Sequence, residues 1–212
     1  MIEARNMSSA VGVRRTRSVE SLRAAAECIG AVTPGMSLFA ITRGQFSMID
    51  AALACLDQTG PATISIWTWT VAEYEIECME RLRKDERILA GRLIIDAGAR
   101  GRNAGLIRQW QSTFGAESVR YVVNHAKMFT IMNERFKLLL RGSMNLNFNP
   151  RLEQLDITEG GEDFDLVQRI EEELPVLADT ASGAEAYKAS RVSEAFDADQ
   201  LAMFMGVKVW NK

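Results

Sequence analysis

Histidine is nearly absent from this chain: His125 is the only one in 212 residues. That scarcity, with three unpaired cysteines, excludes the common zinc and iron ligand sets, which need several imidazoles or closely spaced thiolates. Cys28, Cys55 and Cys78 are odd in number and widely spaced. They fit no disulfide framework and read as reduced thiols of a cytoplasmic protein. No run of about 18 apolar residues occurs, so neither a transmembrane helix nor stable membrane association is expected. Residues 1–17 lack the apolar centre of a secretory signal. A surplus of positive charge is missing too: 25 Lys and Arg face 28 Asp and Glu, a net charge of −3. No global field would draw a polyanion to the surface, so any such site must be a local patch.

What is present is ordinary for a globular protein. The chain is 47% hydrophobic and 25% charged, and its length suits one domain with a real core. Residues 1–17, with Arg5, Arg14, Arg15 and Arg17, read as a polar and basic arm, either a frayed tail or a nucleic-acid-binding extension. Residues 18–212 then form the single domain. Apolar spacing predicts a helix over 18–32, and Pro34-Gly35 a turn. A short strand is predicted over 37–41 and a helix over 45–57, ending at Gly60-Pro61. Residues 62–69 alternate as a strand, with Thr63, Ser65 and Trp67 on one face. Thr70-Val71-Ala72-Glu73 reads as a capping box opening a helix that runs to about residue 89. Strands over 92–96 and 119–123 flank a helix over 102–114 that Gly115 stops. This strand–helix alternation predicts an α/β domain with a mixed, mainly parallel sheet flanked by helices. Two strands over 127–132 and 137–141 follow, joined by a turn at 133–135. Helices over 163–178, broken or ended by Pro175, and over 184–204 complete the reading.

Chemistry concentrates around the one histidine. His125 and Lys127 stand two residues apart, and on a strand both side chains would leave the same face. Downstream lie Gly142, Ser143, Met144 and Asn145, a glycine turn followed by small polar residues. An imidazole that can attack or donate a proton, beside an ammonium and an amide that can hold nonbridging oxygens, suits a phosphate ester.

This pattern resembles the H-x-K-x4-D-x6-G-S-x-N signature of the phospholipase D superfamily, with His125, Lys127, Gly142, Ser143 and Asn145 at its positions. Glu153, in Asn149-Pro150-Arg151-Leu152-Glu153, is similar to that family's downstream glutamate, which orients a catalytic histidine. The resemblance spans roughly residues 35–175 and points to the compact single-motif branch of bacterial nucleases. It departs twice. Met132 stands where the family has an aspartate that mainly supports the site, so its loss need not end catalysis, and Asn133 or Glu134 could partly substitute. The interval to Gly142 is also three residues longer, as a longer hairpin would require.

The resemblance implies a phospholipase D-like α/β fold and a phosphodiesterase that cleaves DNA or RNA without metal or cofactor through a phosphohistidine. Catalytic roles fall to His125, Lys127, Ser143, Asn145 and Glu153. Because the family's active site takes two such motifs and this chain has one histidine, a homodimer is implied. Two other functions stay open: hydrolysis of a phospholipid headgroup or another small diester, and an inert binding or regulatory module, which Met132 favours.

Residues 98–105, with Arg100 and Arg102 among five glycine and alanine neighbours, are a solvated connection or a grip on substrate phosphates before a helix. Trp67 and Trp69 are core or dimer contacts, or platforms for stacked bases. Met128, Met132 and Met144 read as packing. The acidic run at 171–173 reads as a solvated helix face, and residues 203–210 as a cover for the core or dimer.

Overall fold

A computed structural model describes residues 25–144, 146, 151–178 and 180–190, and the backbone of residues 14–19. Among the described residues, eight strands form one sheet: β1 (Arg14–Val19), β2 (Ser37–Thr42), β3 (Ala62–Thr68), β4 (Ile88–Asp96), β5 (Val119–Val122), β6 (Met128–Met132), β7 (Lys137–Gly142) and β8 (Glu153–Glu159). The α-helices among the described residues are α1 (Ala25–Ile29), α2 (Met48–Thr59), α3 (Glu73–Lys84), α4 (Ala104–Phe114), α5 (Glu162–Glu173) and α6 (Gly183–Ala189).

The spatial order is β1-β2-β8-β7-β6-β3-β4-β5. β1 pairs parallel to β2, and β3, β4 and β5 are parallel to one another. The meander β6–β7–β8 is antiparallel throughout and lies between these two parallel pieces, against β3 on one side and β2 on the other. The α/β class is as expected, but the sheet is mixed rather than mainly parallel. Strand–helix alternation described the β3–β4–β5 piece correctly and β2 within the other, but not its edge strand β1. It could not reveal that the later hairpins would insert between them.

Alternation within the strands builds the core. Leu38, Ala40, Ile64, Ile66, Leu93, Ile95, Phe129, Ile131, Leu138, Leu140, Leu155 and Ile157 belong to one buried cluster shared with residues of α1 to α4. The opposite face receives α5, whose Phe164 and Val167 pack with Leu139, Trp67, Met128 and Met132. Leu174, just past that helix, packs with Ile94, Val122 and Trp67. The spacing 164, 167, 171, 174 is one helical stripe, so Glu171 points inward with the apolar residues.

Glu172 and Glu173 are exposed, as read from the sequence, but Glu171 is not part of a solvated face. Its side chain is only 2% exposed and pairs with Arg92 Nη1 at 3.0 Å. It also accepts from Trp67 Nε1 at 2.7 Å and from the Ser65 hydroxyl. The Ser65 hydroxyl in turn lies 2.7 Å from that of Thr130. A buried charge persists only where partners replace its water, and this one is fully partnered. The clamp fastens α5 to β3, β4 and β6. Beside it opens a cleft of about 620 Å³ lined in part by Arg92, Phe114, Arg120 and Met132. Burial, and then the neighbouring Arg92 charge, hold the Arg120 guanidinium below its ordinary pKa.

Several local expectations change. Arg14–Val19 is an edge strand, so the arm over 1–17 and the helix over 18–32 meet inside β1, and the described helix there is only Ala25–Ile29. The cap of α3 is Ala72, whose N–H is met by Glu75 at 3.1 Å, rather than a Thr70–Glu73 box. Thr70 lies outside the helix and receives Asn103 Nδ2 at 2.7 Å. β8 is a strand that sequence reading did not assign. α5 ends before Pro175, as the missing proline N–H requires. The readings of residues 1–13 and 191–212 lie outside the described residues.

Candidate active site

The four parallel strands β2, β3, β4 and β5 end at the same sheet edge where β6 begins, β7 ends and β8 begins. The pairings Trp67↔Met128, Met128↔Arg141, Gly142↔Leu155 and Thr42↔Glu153 fix this alignment. In open α/β sheets the carboxyl ends of parallel strands are where loops leave a crevice for ligand.

His125 lies in the loop between β5 and β6, and it is exposed. The residue before it shapes that loop. Asn124 is buried, and its N–H donates to Asp96 Oδ2 at 3.0 Å. Its Oδ1 accepts from the Ala126 N–H at 2.9 Å, while Nδ2 donates to the Thr68 carbonyl at 3.0 Å. These bonds tie the loop to the ends of β3 and β4 and leave His125 projecting between fixed neighbours. The expectation that His125 and Lys127 share a strand face is corrected: β6 starts only at Met128. Lys127 instead turns back, and its Nζ donates to the His125 carbonyl at 3.2 Å.

Lys127 also joins the second half of the site, because its carbonyl accepts from the Gly142 N–H at 3.3 Å. Gly142 is required by close approach. A Cβ there would sit 2.0 Å from the Gln154 carbonyl oxygen, well inside contact distance. β7 can therefore run tightly against β8, and the next residue inherits the result. The Ser143 N–H donates to the Gln154 carbonyl at 3.2 Å, and the Ser143 Oγ accepts from the Gln154 N–H at 2.9 Å. The Ser143 hydroxyl proton goes to the Glu153 carboxylate. Glu153 is thus held against Ser143, and a bond from it to His125 is not among those of the described residues. Asn145 lies outside the described residues.

Met132 sits at the other end of β6, paired with Thr63 and Lys137. Five residues of strand separate it from Lys127, about 16 Å at the usual rise. Asn133 beside it is a turn brace: Oδ1 accepts the N–H groups of Arg135 and Phe136, and Nδ2 donates to the Thr59 and Pro61 carbonyls. The methionine therefore does not interrupt the cluster at the opposite edge. The longer interval to Gly142 is taken up in the β6–β7 hairpin.

The two loop arginines have different fates. Arg100 lies over the Tyr121 ring at 4.2 Å and donates to the Ala181 carbonyl, holding the segment before α6 against β5. Arg102 is exposed, with its guanidinium 5.2 Å from the centroid of the Trp69 ring. Trp67 is a core residue through its bond to Glu171, whereas Trp69 is 45% exposed. Arg43, just past β2, and Arg151, just before β8, add exposed positive charge at this same edge. Local basicity exists here despite the negative total.

Sequence reading missed Asn124 and Asp96. The only available signal was an Asx residue directly before the histidine, a residue type that bonds readily to nearby backbone in turns. Among the described residues no helix is long and apolar enough to cross a membrane. In comparisons with protein-family models and with curated proteins, the chain matches none.

Proposed function

We propose that the protein is a phospholipase D-like phosphodiesterase that cleaves DNA or RNA as a homodimer, through a phosphohistidine and without metal. The observation that carries this reading is the gathering of His125, Lys127, Ser143 and Glu153 at the carboxyl edge of the sheet, although 28 positions separate the first from the last. The exposed imidazole is free of the bulk that would keep a phosphate away. Lys127 lies next to it to take nonbridging oxygens, and Arg43, Arg102 and Arg151 surround the edge with charge that suits a polyanion.

In this mechanism one His125 nitrogen attacks phosphorus and the P–O bond to the leaving group breaks. The leaving oxygen takes a proton from the His125 of the second subunit. That second imidazole, now neutral, accepts a proton from water as the water attacks the phosphohistidine, which restores both histidines. Exposed Val123 and Leu152, at 49% and 72%, flank the loop of His125 and the start of β8. Apolar groups of that kind around the edge favour its burial against a second copy.

The test is hydrolysis of single-stranded DNA, RNA and bis(p-nitrophenyl) phosphate by purified protein in EDTA, beside His125→Ala. The expected result is turnover that survives chelation and drops at least about a thousandfold in the variant. Mixed dimers of wild-type and His125→Ala subunits should be almost inactive, since each lacks either nucleophile or acid. Activity lost in EDTA and restored by a divalent ion would overturn the phosphohistidine route. A fold without turnover on any diester would favour the inert module instead.

A further inference from the structure

The alternation of β3 sets Trp67 and Trp69 on one face, yet the structure separates them. Trp67 is half-buried against the core, with its indole N–H spent on Glu171. Trp69 lies one residue past the end of β3, with 45% of its surface open. An indole left in water forfeits a large hydrophobic gain, and the arrangement invites an occupant.

Its surroundings name the occupant. Thr68, directly before it, gives its carbonyl to Asn124 of the His125 loop. Thr70, directly after it, receives Asn103 of the basic loop. The residues on either side of Trp69 are therefore tied to the loop of the proposed nucleophile and to the basic loop, and the Arg102 guanidinium lies over the indole. An aromatic face beside a cation, next to a phosphate-cleaving group, matches one repeating unit of a nucleic acid: a base face and its phosphate. In a duplex both faces of each base are covered by neighbouring pairs, so the indole can only receive an unpaired base.

The geometry points to Trp69 and Arg102 as a clamp that makes the site selective for single-stranded nucleic acid. The flanking base stacks on Trp69, and Arg102 holds the adjoining phosphate. This rests on the phosphodiesterase reading and specifies its substrate.

The experiment uses His125→Ala protein, which binds without turnover, and measures anisotropy of a labelled oligodeoxythymidylate and of a labelled hairpin duplex. Trp69→Ala in that background should weaken single-strand binding about tenfold to a hundredfold while duplex binding changes little. Trp69→Phe should restore most of the lost affinity, since a phenyl face also stacks. Equal loss on both substrates, no loss on either, or no rescue by phenylalanine would overturn the clamp. Hydrolysis of bis(p-nitrophenyl) phosphate by the wild-type protein, a substrate with no base, separates the two ideas. Turnover there with unaltered single-strand binding in Trp69→Ala removes the clamp alone. Trp69-dependent binding without any turnover removes the catalytic reading alone.

Discussion

Two polar centres occupy this sheet, and they differ in every respect that decides what a polar group does. The one around Glu171 is buried, its carboxylate bonded to Arg92, Trp67 and Ser65. The one around His125 is open to water, borne on loops, and tied mainly through backbone: Asn124 to Thr68, Lys127 to Gly142, Ser143 to Gln154. A satisfied buried network has no capacity left for a ligand and acts as a fastener. A cluster whose backbone is fixed while its imidazole stays exposed is the arrangement that the proposed chemistry would need.

The sharpest way to break this contrast is Glu171→Ala. It leaves the Arg92 guanidinium partly buried without its carboxylate, and a loss of about 3–5 kcal/mol is expected, read from urea unfolding. Hydrolysis measured well below the melting temperature should change less than about twofold, a threshold far under the hundredfold scale of acid–base catalysis. A large fall in turnover in folded protein would make the Glu171 cleft part of the site.

Glu153→Gln should do the reverse. The exposed Ser143–Glu153 pair contributes little to stability, so the unfolding midpoint should hold. Turnover should fall about a hundredfold, or roughly 2.7 kcal/mol, if the carboxylate charge serves the reaction. Near wild-type rates would mean that Glu153 only shapes the β7–β8 turn. The smallest effect concerns the thiols. Cys28, Cys55 and Cys78 are all buried, and burial pushes the Cys55 thiol up to about 12. At pH 8 the thiolate of Cys55 is scarce, so native protein should react with a disulfide reagent far more slowly than protein in urea. Rapid native labelling would show that the core opens more readily than its packing implies.

What the sequence disclosed follows where local physics is decisive. Residues 62–68 alternate strongly, and Gly60, Gly115 and Pro175 stop helices by backbone chemistry alone, so these elements were legible. β1 and β8 were not. Arg-Arg-Thr-Arg-Ser-Val offers too few apolar residues to declare a strand, yet such charge suits a sheet edge. Glu-Gln-Leu-Asp-Ile-Thr-Glu carries only two core residues, Leu155 and Ile157, and gains its conformation from β2 and β7 on either side. Glu171 was misread because three successive glutamates look alike until the helical stripe is aligned with Arg92. His125, Lys127, Ser143 and Glu153 were found as a pattern of residue types, but the role of Asn124 depends on Asp96 and Thr68, both distant in sequence. The residue types of the motif were visible; the geometry and scaffolding that hold them were not.

Among the described residues, the meander β6–β7–β8 bridges the parallel pair β1–β2 and the parallel trio β3–β4–β5. During synthesis β2 leaves the ribosome long before β8, the strand on which its inner edge depends. The two parallel pieces can gather their own helices early, but neither can find the other until the chain has grown past Glu159. His125, Lys127, Ser143 and Glu153 sit on the segments that make this join. Their assembly and the closure of the sheet are therefore one event, so a nascent or truncated chain ending before β8 cannot gather the four residues at one edge.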